Sequence, residues 1–323
     1  MTTTMTMTLL ARPLVSAVLV VRNEASVIER CLDSLDWVDE IVVVDTGSTD
    51  GTREICLRRG CRVLCEPWQG YGATKNLAVR AASNDWVFAV DADEVVSPEL
   101  RDRLLREMQD NPRFHGYRPR FRTWYLGREI RHCGWSNEHH LRFFDRRLGN
   151  YTAKPLHESV RLEGALCEMD EAILHYSHPT VASHLAKIAV YSDLAARQLH
   201  EAGRRASPAM ACLRGAHKFM KMYFAQRGFL DGREGLVLSV ISAFGVFCKY
   251  IKLWELERSS RGGRGQGRPA EPASITEESE GVVRGASESR QVARPAAEDG
   301  VQAAGEVCRE AGAGGEDAIR GGQ

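Results

Sequence analysis

The chain has 323 residues, with 43 lysines and arginines against 43 aspartates and glutamates, enough for one large domain with appendages. A formal net charge of zero gives no electrostatic case for nucleic-acid binding. The balance conceals segregation, because residues 197–258 carry 11 basic and 5 acidic side chains.

Nine cysteines, at 31, 56, 61, 65, 133, 167, 212, 248 and 308, include no CxxC pair. Odd in number, they suit buried free thiols in a reducing compartment better than a disulfide framework or a zinc site. The opening MTTTMTMTLLARP has neither a basic n-region nor a long apolar core. No signal peptide is expected, and a cytoplasmic location is.

Val15 to Val21 reads as a first buried strand. Arg22-Asn23-Glu24 follows, then an amphipathic helix with Val27, Ile28, Cys31, Leu32 and Leu35 at helical spacing. Ile41 to Val44 is a second strand ending in Asp45, and its turn, Thr46 to Thr52, is rich in cap residues and leads into a short helix closed by Gly60. Arg62 to Cys65 gives a third strand and Gly70 to Ala82 a helix carrying Lys75 and Asn76. Alternating units of this length predict right-handed crossovers and a parallel sheet.

Trp86 to Val90 is a near-continuous apolar run that ends in Asp91, Asp93 and Glu94. Spacing of i, i+2 on an extended strand would turn Asp91 and Asp93 to one side. Two carboxylates there repel each other unless a cation or ligand compensates, and the carboxyl ends of strands are where open α/β sheets bind ligands.

Pro98 to Gln109 is a charged amphipathic helix. Beyond it Tyr117 to Trp124, Glu129 to His132 and His140 to Arg146 read as antiparallel strands, and Ala172 to Tyr176 as another. Helices are expected over Thr180 to Glu201, Pro208 to Ala225 and Gly232 to Glu257. The last contains 13 mostly apolar residues, Leu236 to Cys248, short of the ~20 that span a bilayer. It suits a membrane-interfacial helix, with Lys249, Lys252 and Trp254 at headgroup level, or a helix packed on the body. From Ser259 onward the composition predicts disorder. The expected division is a core over 14–145, an acceptor-side extension and helix over 146–200, a basic and apolar helical region over 201–258, and a tail over 259–323.

VSAVLVVRNEASVIERCLDSL, IVVVDTGSTDGT and VDADE, in this order, resemble the opening strand and helix, the nucleotide-binding signature and the metal-binding DxD of the family-two glycosyltransferases. Thr46 stands where many members have a second Asp. Downstream, WYLGREIRHCGW, HLRFFDRR, KPLHESV, ILHYSH and FGVFCKYIKLWELE resemble a bacterial subgroup that adds glucose in β linkage to the inner core of lipopolysaccharide. In that subgroup the acid before the HLR strand is commonly Asp preceded by Pro, where this chain has Glu138 and Asn137.

The resemblance implies a GT-A fold, a mostly parallel Rossmann-like sheet with an antiparallel acceptor-side extension. It also implies inverting transfer from a nucleotide sugar, UDP-glucose, to a lipid-linked saccharide at the cytoplasmic membrane face. Asp93 would hold Mg²⁺ or Mn²⁺ to stabilise the leaving diphosphate. Asp91 would help hold the ribose or orient the metal, and Asp45 would bind base or ribose, with Asn23 and Glu24 completing the nucleotide-sugar site. Glu138 is the candidate base for the acceptor hydroxyl. His157 either supplies a further metal or diphosphate contact or forms a structural pair with Glu158. Arg142 either meets phosphate or braces Glu138. His175, at the end of an apolar strand, reads as a core histidine. The expected partners are a UDP-sugar, a lipid-linked saccharide and an anionic membrane surface.

Two other classes compete. A sugar nucleotidyltransferase would want a Gly- and Arg/Lys-rich loop after the first strand, where Arg22-Asn23-Glu24 is Gly-free. A saccharide- or membrane-binding protein without turnover has no need to keep Asp45, Asp91, Asp93 and Glu138.

Overall fold

A computed structural model describes residues 12–109, 112–135, 138–152 and 159–262. His157 and the expected tail from residue 263 onward lie outside the described residues. The first half alternates strand and helix: β1 (Val15–Val21), α1 (Ile28–Asp33), β2 (Glu40–Asp45), α2 (Thr52–Arg58), β3 (Arg62–Cys65), α3 (Tyr71–Ala81) and β4 (Trp86–Ala89). Every residue of β1 and β4 is buried, which is why both read as unbroken apolar runs rather than alternating ones. These four strands pair in parallel in the order β3-β2-β1-β4.

The rhythm then changes, as expected. β5 (Glu94–Val96) and α4 (Pro98–Gln109) lead to β6 (Gly116–Tyr125), β7 (Arg128–Ile130), β8 (Phe143–Asp145), the small pair β9 (Gly149–Tyr151) and β10 (Val160–Leu162), and the long β11 (Leu166–His178). β8 runs antiparallel to both β4 and β6, and β7 antiparallel to β6. β11 pairs parallel with β6 and antiparallel with β5. The full order is therefore β3-β2-β1-β4-β8-β6-β11-β5, a mostly parallel sheet with the antiparallel extension of the GT-A expectation. Rings seal the joint between the halves: Trp86 stacks on Phe143 at 5.1 Å, and Phe88 meets Phe143 edge-on at 6.0 Å.

Three helices complete the body: α5 (Val181–Glu201), α6 (Pro208–Met220) and α7 (Gly232–Gly262). Thr180 caps α5 and Ser207 caps α6, each accepting a hydrogen bond from a backbone N–H of the first turn. A π turn, Lys221–Ala225, and a 3-10 turn, Gly228–Asp231, form the hinge between α6 and α7. Two expectations need correction here. Helix α7 continues to Gly262, beyond Glu257. By length and composition it is also long and apolar enough to cross a membrane, because Tyr250, Ile251 and Leu253 extend the apolar stretch past Lys249, where the sequence count stopped. The thiols of Cys31, Cys56, Cys61 and Cys133 are free and buried, but Cys212 is exposed.

α5 docks on the sheet through a buried histidine pair. His178 and His184 stack with ring centroids 4.2 Å apart, and Tyr125 Oη lies 3.0 Å from His184 Nδ1. Burial, and then the Lys187 charge, push His178 down to about 2 and His184 down to about 4 from an ordinary 6.5. Below pH 6.5 the unfolded chain takes up protons that the folded chain refuses, so stability is present above that pH and falls as pH drops toward about 4. Each such histidine removes about 1.4 kcal/mol per pH unit in that window. Urea denaturation between pH 8 and pH 5 should show this decline, and His184→Gln should flatten it by roughly one proton's slope; an unchanged slope would sink the assignment.

Candidate active site

The candidate residues collect at the carboxyl ends of β1, β2 and β4. Asn23 follows β1 with φ of +54°, a left-handed conformation that asparagine tolerates better than most residues. That conformation lets it clasp the turn after β2. Its backbone N–H donates to Ser48 Oγ at 3.0 Å, and its Oδ1 accepts from the Thr49 N–H at 2.8 Å. The next N–H, of Glu24, donates to Thr52 Oγ1 at 2.8 Å. Asp45 is buried, and its Oδ1 accepts from the Ser48 N–H at 3.0 Å and from the Ser48 hydroxyl. Asn23, Glu24 and Asp45 thus belong to one hydrogen-bonded unit.

The acids after β4 do not lie on an extended strand, and the expectation that Asp91 and Asp93 alternate to one side is corrected. The chain turns there, with the Glu94 N–H donating to the Asp91 carbonyl at 3.0 Å and the Asp91 N–H donating to Glu94 Oε2 at 2.9 Å. The turn carries the chain from β4, whose neighbours are β1 and β8, to β5, which pairs with β11. The acids sit where the two halves of the sheet part, the kind of switch point at which α/β sheets bind ligands.

Compensation for two of the acids comes from the chain itself. Lys75 Nζ on α3 is 3.2 Å from Asp91 Oδ1. Arg142, buried just before β8, donates from Nη2 to Asp91 Oδ2 at 3.0 Å and to Glu94 Oε1. Burial pushes the Asp91 carboxyl upward, but Lys75 and Arg142 override it and hold it well below the usual carboxylate range. Glu94 is more enclosed, and burial pushes it up to about 7 against the pull of Arg142. Arg142 therefore ties together Asp91 and Glu94, rather than bracing Glu138 as one sequence reading had it. Lys75 had no assigned role in the sequence.

Asp93 is different. It is buried, and its Oδ1 has no hydrogen-bond partner among the described residues. Its Oδ2 approaches His175 Nε2 on β11 to 3.4 Å. Burial lowers the His175 pKa, but the Asp93 carboxylate outweighs it and leaves the imidazole above its ordinary value. His175, read from sequence as a core histidine, is buried and also faces the site. A series of contacts runs on from it: His175 to the Phe121 ring at 6.1 Å, Phe121 to His140 at 4.8 Å, and His140 Nε2 to Glu138 Oε2 at 3.4 Å. Through these rings Glu138 and Asp93 belong to one region. The Glu138 side chain is about a third exposed, at 36%.

The guanidinium of Arg142 is the test of this electrostatic account. Arg142→Met keeps the length but leaves Asp91 and Glu94 without their shared cation, and should cost about 3–5 kcal/mol. Adding Glu94→Gln should recover a substantial part. Urea denaturation of both variants checks this; a loss below about 1 kcal/mol for the single variant would refute it.

Residues 16–158 match the family described as Glycosyl transferase family 2. An uncharacterized glycosyltransferase of Rickettsia bellii is 30% identical over 254 residues, 75% of this chain and 86% of the relative. The lipopolysaccharide core biosynthesis glycosyltransferase LpsC of Rhizobium meliloti is 28% identical over 247 residues, 74% of this chain and 92% of that one. Among solved structures, the mannosyltransferase PcManGT of Pyrobaculum calidifontis aligns with a TM-score of 0.41 at 18% identity, over 81% of this chain and 78% of that one. With the family match spanning the strands that lead to Asp45, Asp91 and Asp93, and a relative aligned along three quarters of the chain, this chain belongs to glycosyl transferase family 2.

Proposed function

We propose that the protein transfers a hexosyl group, glucose from UDP-glucose, with inversion onto a lipopolysaccharide-core or other lipid-linked saccharide at the inner face of the cytoplasmic membrane. The observation that carries this reading is Asp93, an acid with one buried, unpartnered oxygen at the parting of the sheet in a family 2 glycosyltransferase. The similarity to LpsC, named for lipopolysaccharide core biosynthesis, supports the acceptor class.

A divalent cation, Mg²⁺ or Mn²⁺, fits Asp93 Oδ1, a hard anionic donor with no hydrogen-bond partner among the described residues, while His175 meets the other oxygen. When bound, such a cation supplies positive charge for the departing diphosphate. The other tasks fall to the chain. Asp45, Asn23 and Glu24 hold the turn that receives the nucleoside. Lys75 and Arg142 pair with Asp91 and Glu94, which leaves Asp93 Oδ1 for the ligand. Glu138 takes the proton of the acceptor hydroxyl as that oxygen attacks the anomeric carbon opposite the leaving group.

Asp93→Asn should preserve the fold, lower turnover by ~10²–10³ and abolish the Mn²⁺-dependent heat of UDP binding in calorimetry. Near wild-type turnover at saturating Mn²⁺ would remove Asp93 from the metal role. Glu138→Gln should lower turnover by ~10²–10⁴ while leaving UDP affinity almost unchanged. Weakened UDP binding with turnover per bound donor intact would place Glu138 in the donor site instead.

A further inference from the structure

The hinge between α6 and α7 exposes apolar side chains that a body in water would bury. Leu213 is 72% exposed and Met220, Phe224, Phe229 and Leu230 are about half exposed. The aromatic members are contiguous, with Phe224 and Phe229 packed against the same Tyr223 ring at 5.1 and 6.3 Å. Leu236, Val240 and Phe244 continue the exposed apolar surface along α7 at i, i+4, i+8. An apolar surface of this extent marks an interaction site.

Charge identifies the occupant. Residues 202–230 contain six lysines and arginines and no aspartate or glutamate, and Arg214, Lys221 and Arg227 lie exposed beside the apolar groups. A second copy would bring the same cations face to face. An anionic bilayer surface offers headgroups to the bases and acyl chains to the rings.

The groups expected at headgroup level are otherwise engaged. Lys252 is ion-paired to Asp193 at 2.8 Å and donates to the Ala189 carbonyl, and Lys249 lies over the Tyr250 ring. Helix α7 is also fastened along its length, by the close approach of Gly245 to Ile188 on α5 and of Gly215 on α6 to Phe247. A spanning α7 would carry the Lys252–Asp193 pair and the helices packed on it into hydrocarbon.

The same hinge is bolted to residues 131–133, just after β7. Asp231 accepts from the Arg131 and His132 N–H groups at 3.1 and 2.8 Å, and the Gln226 carbonyl accepts from the Cys133 N–H at 3.1 Å. Two glycines permit the close fit: a Cβ on Gly235 would lie 2.1 Å from the Gly228 carbonyl oxygen, and one on Gly228 would lie 2.7 Å from Cys133 Sγ.

We infer that the α6–α7 hinge is a peripheral docking surface for anionic lipid, set so that the acceptor side of the cleft faces the bilayer. The second half of this inference rests on the acceptor being lipid-linked; the docking itself does not.

The test is cosedimentation of the full chain with phosphatidylcholine vesicles and with vesicles of equal parts phosphatidylcholine and phosphatidylglycerol. Wild type should pellet with the mixed vesicles at low salt and be released as salt rises. Phe224→Ser with Leu230→Ser, and separately Lys221→Glu with Arg227→Glu, should each weaken partitioning about tenfold. Both variants should keep wild-type circular dichroism and transfer to a detergent-dispersed acceptor. Wild type left in the supernatant, or variants that pellet as well as wild type, would overturn the docking surface. So would a lipid-free dimer dissolved by the same variants, which gives the face to a second copy. Pelleting that survives high salt and alkaline carbonate would overturn it in favour of a spanning helix. Transfer assays separate the two proposals: no vesicle binding with transfer intact sinks docking alone, and vesicle binding without sugar transfer sinks the transferase reading alone.

Discussion

The organisation of this protein turns on one buried guanidinium. Three carboxylates within four residues at the end of β4 would be expensive to remove from water. Arg142 reaches two of them from a position 51 residues away in sequence from Asp91, and Lys75 adds a second cation from α3. The parallel half supplies Asp91 and Lys75, while the antiparallel extension supplies Glu94 and Arg142. Neither half is electrostatically complete alone, so docking of β8 on β4 and assembly of the site are one event. Among the described residues, this internal pairing leaves Asp93 Oδ1 without a hydrogen-bond partner.

Much of the scaffold was legible in the sequence because local chemistry set it. The strand Val15–Val21 and the helix Pro98–Gln109 lie where apolar runs, helical spacing and proline placed them. The arrangement of the acids was not legible. Strand alternation predicts one shared side for Asp91 and Asp93 only if the backbone stays extended, and the turn closed by Glu94 breaks that condition. Arg142 and Lys75 carried no local mark of their partner, since the pairing depends on where β8 and α3 fall against β4. His175 is itself buried on its strand, as its apolar neighbours implied. Its approach to Asp93 depends on the register that sets His175 opposite Glu94. The apolar length of α7 was undercounted for a simpler reason: a lysine inside a helix interrupts a run in the sequence without ending the helix.

The two sides of the cleft are held by different means. On the parallel side, β1, β2 and β4 are fixed by parallel ladders and by a turn laced to the residues after β1. On the antiparallel side, rings and helices do the holding, from Phe121 and His140 to the hinge that grips residues 131–133 through Asp231 and Gln226.

The clasp at Asn23 has a thermodynamic consequence. Ordering a backbone residue costs about 1–2 kcal/mol, and a flexible loop would draw that cost from the affinity for its ligand. Here the chain itself supplies hydrogen bonds between Asn23 and Glu24 on one side and Ser48, Thr49 and Thr52 on the other. The ordering cost is met during folding, so a ligand received by this turn would lose little of its contact energy to arranging it.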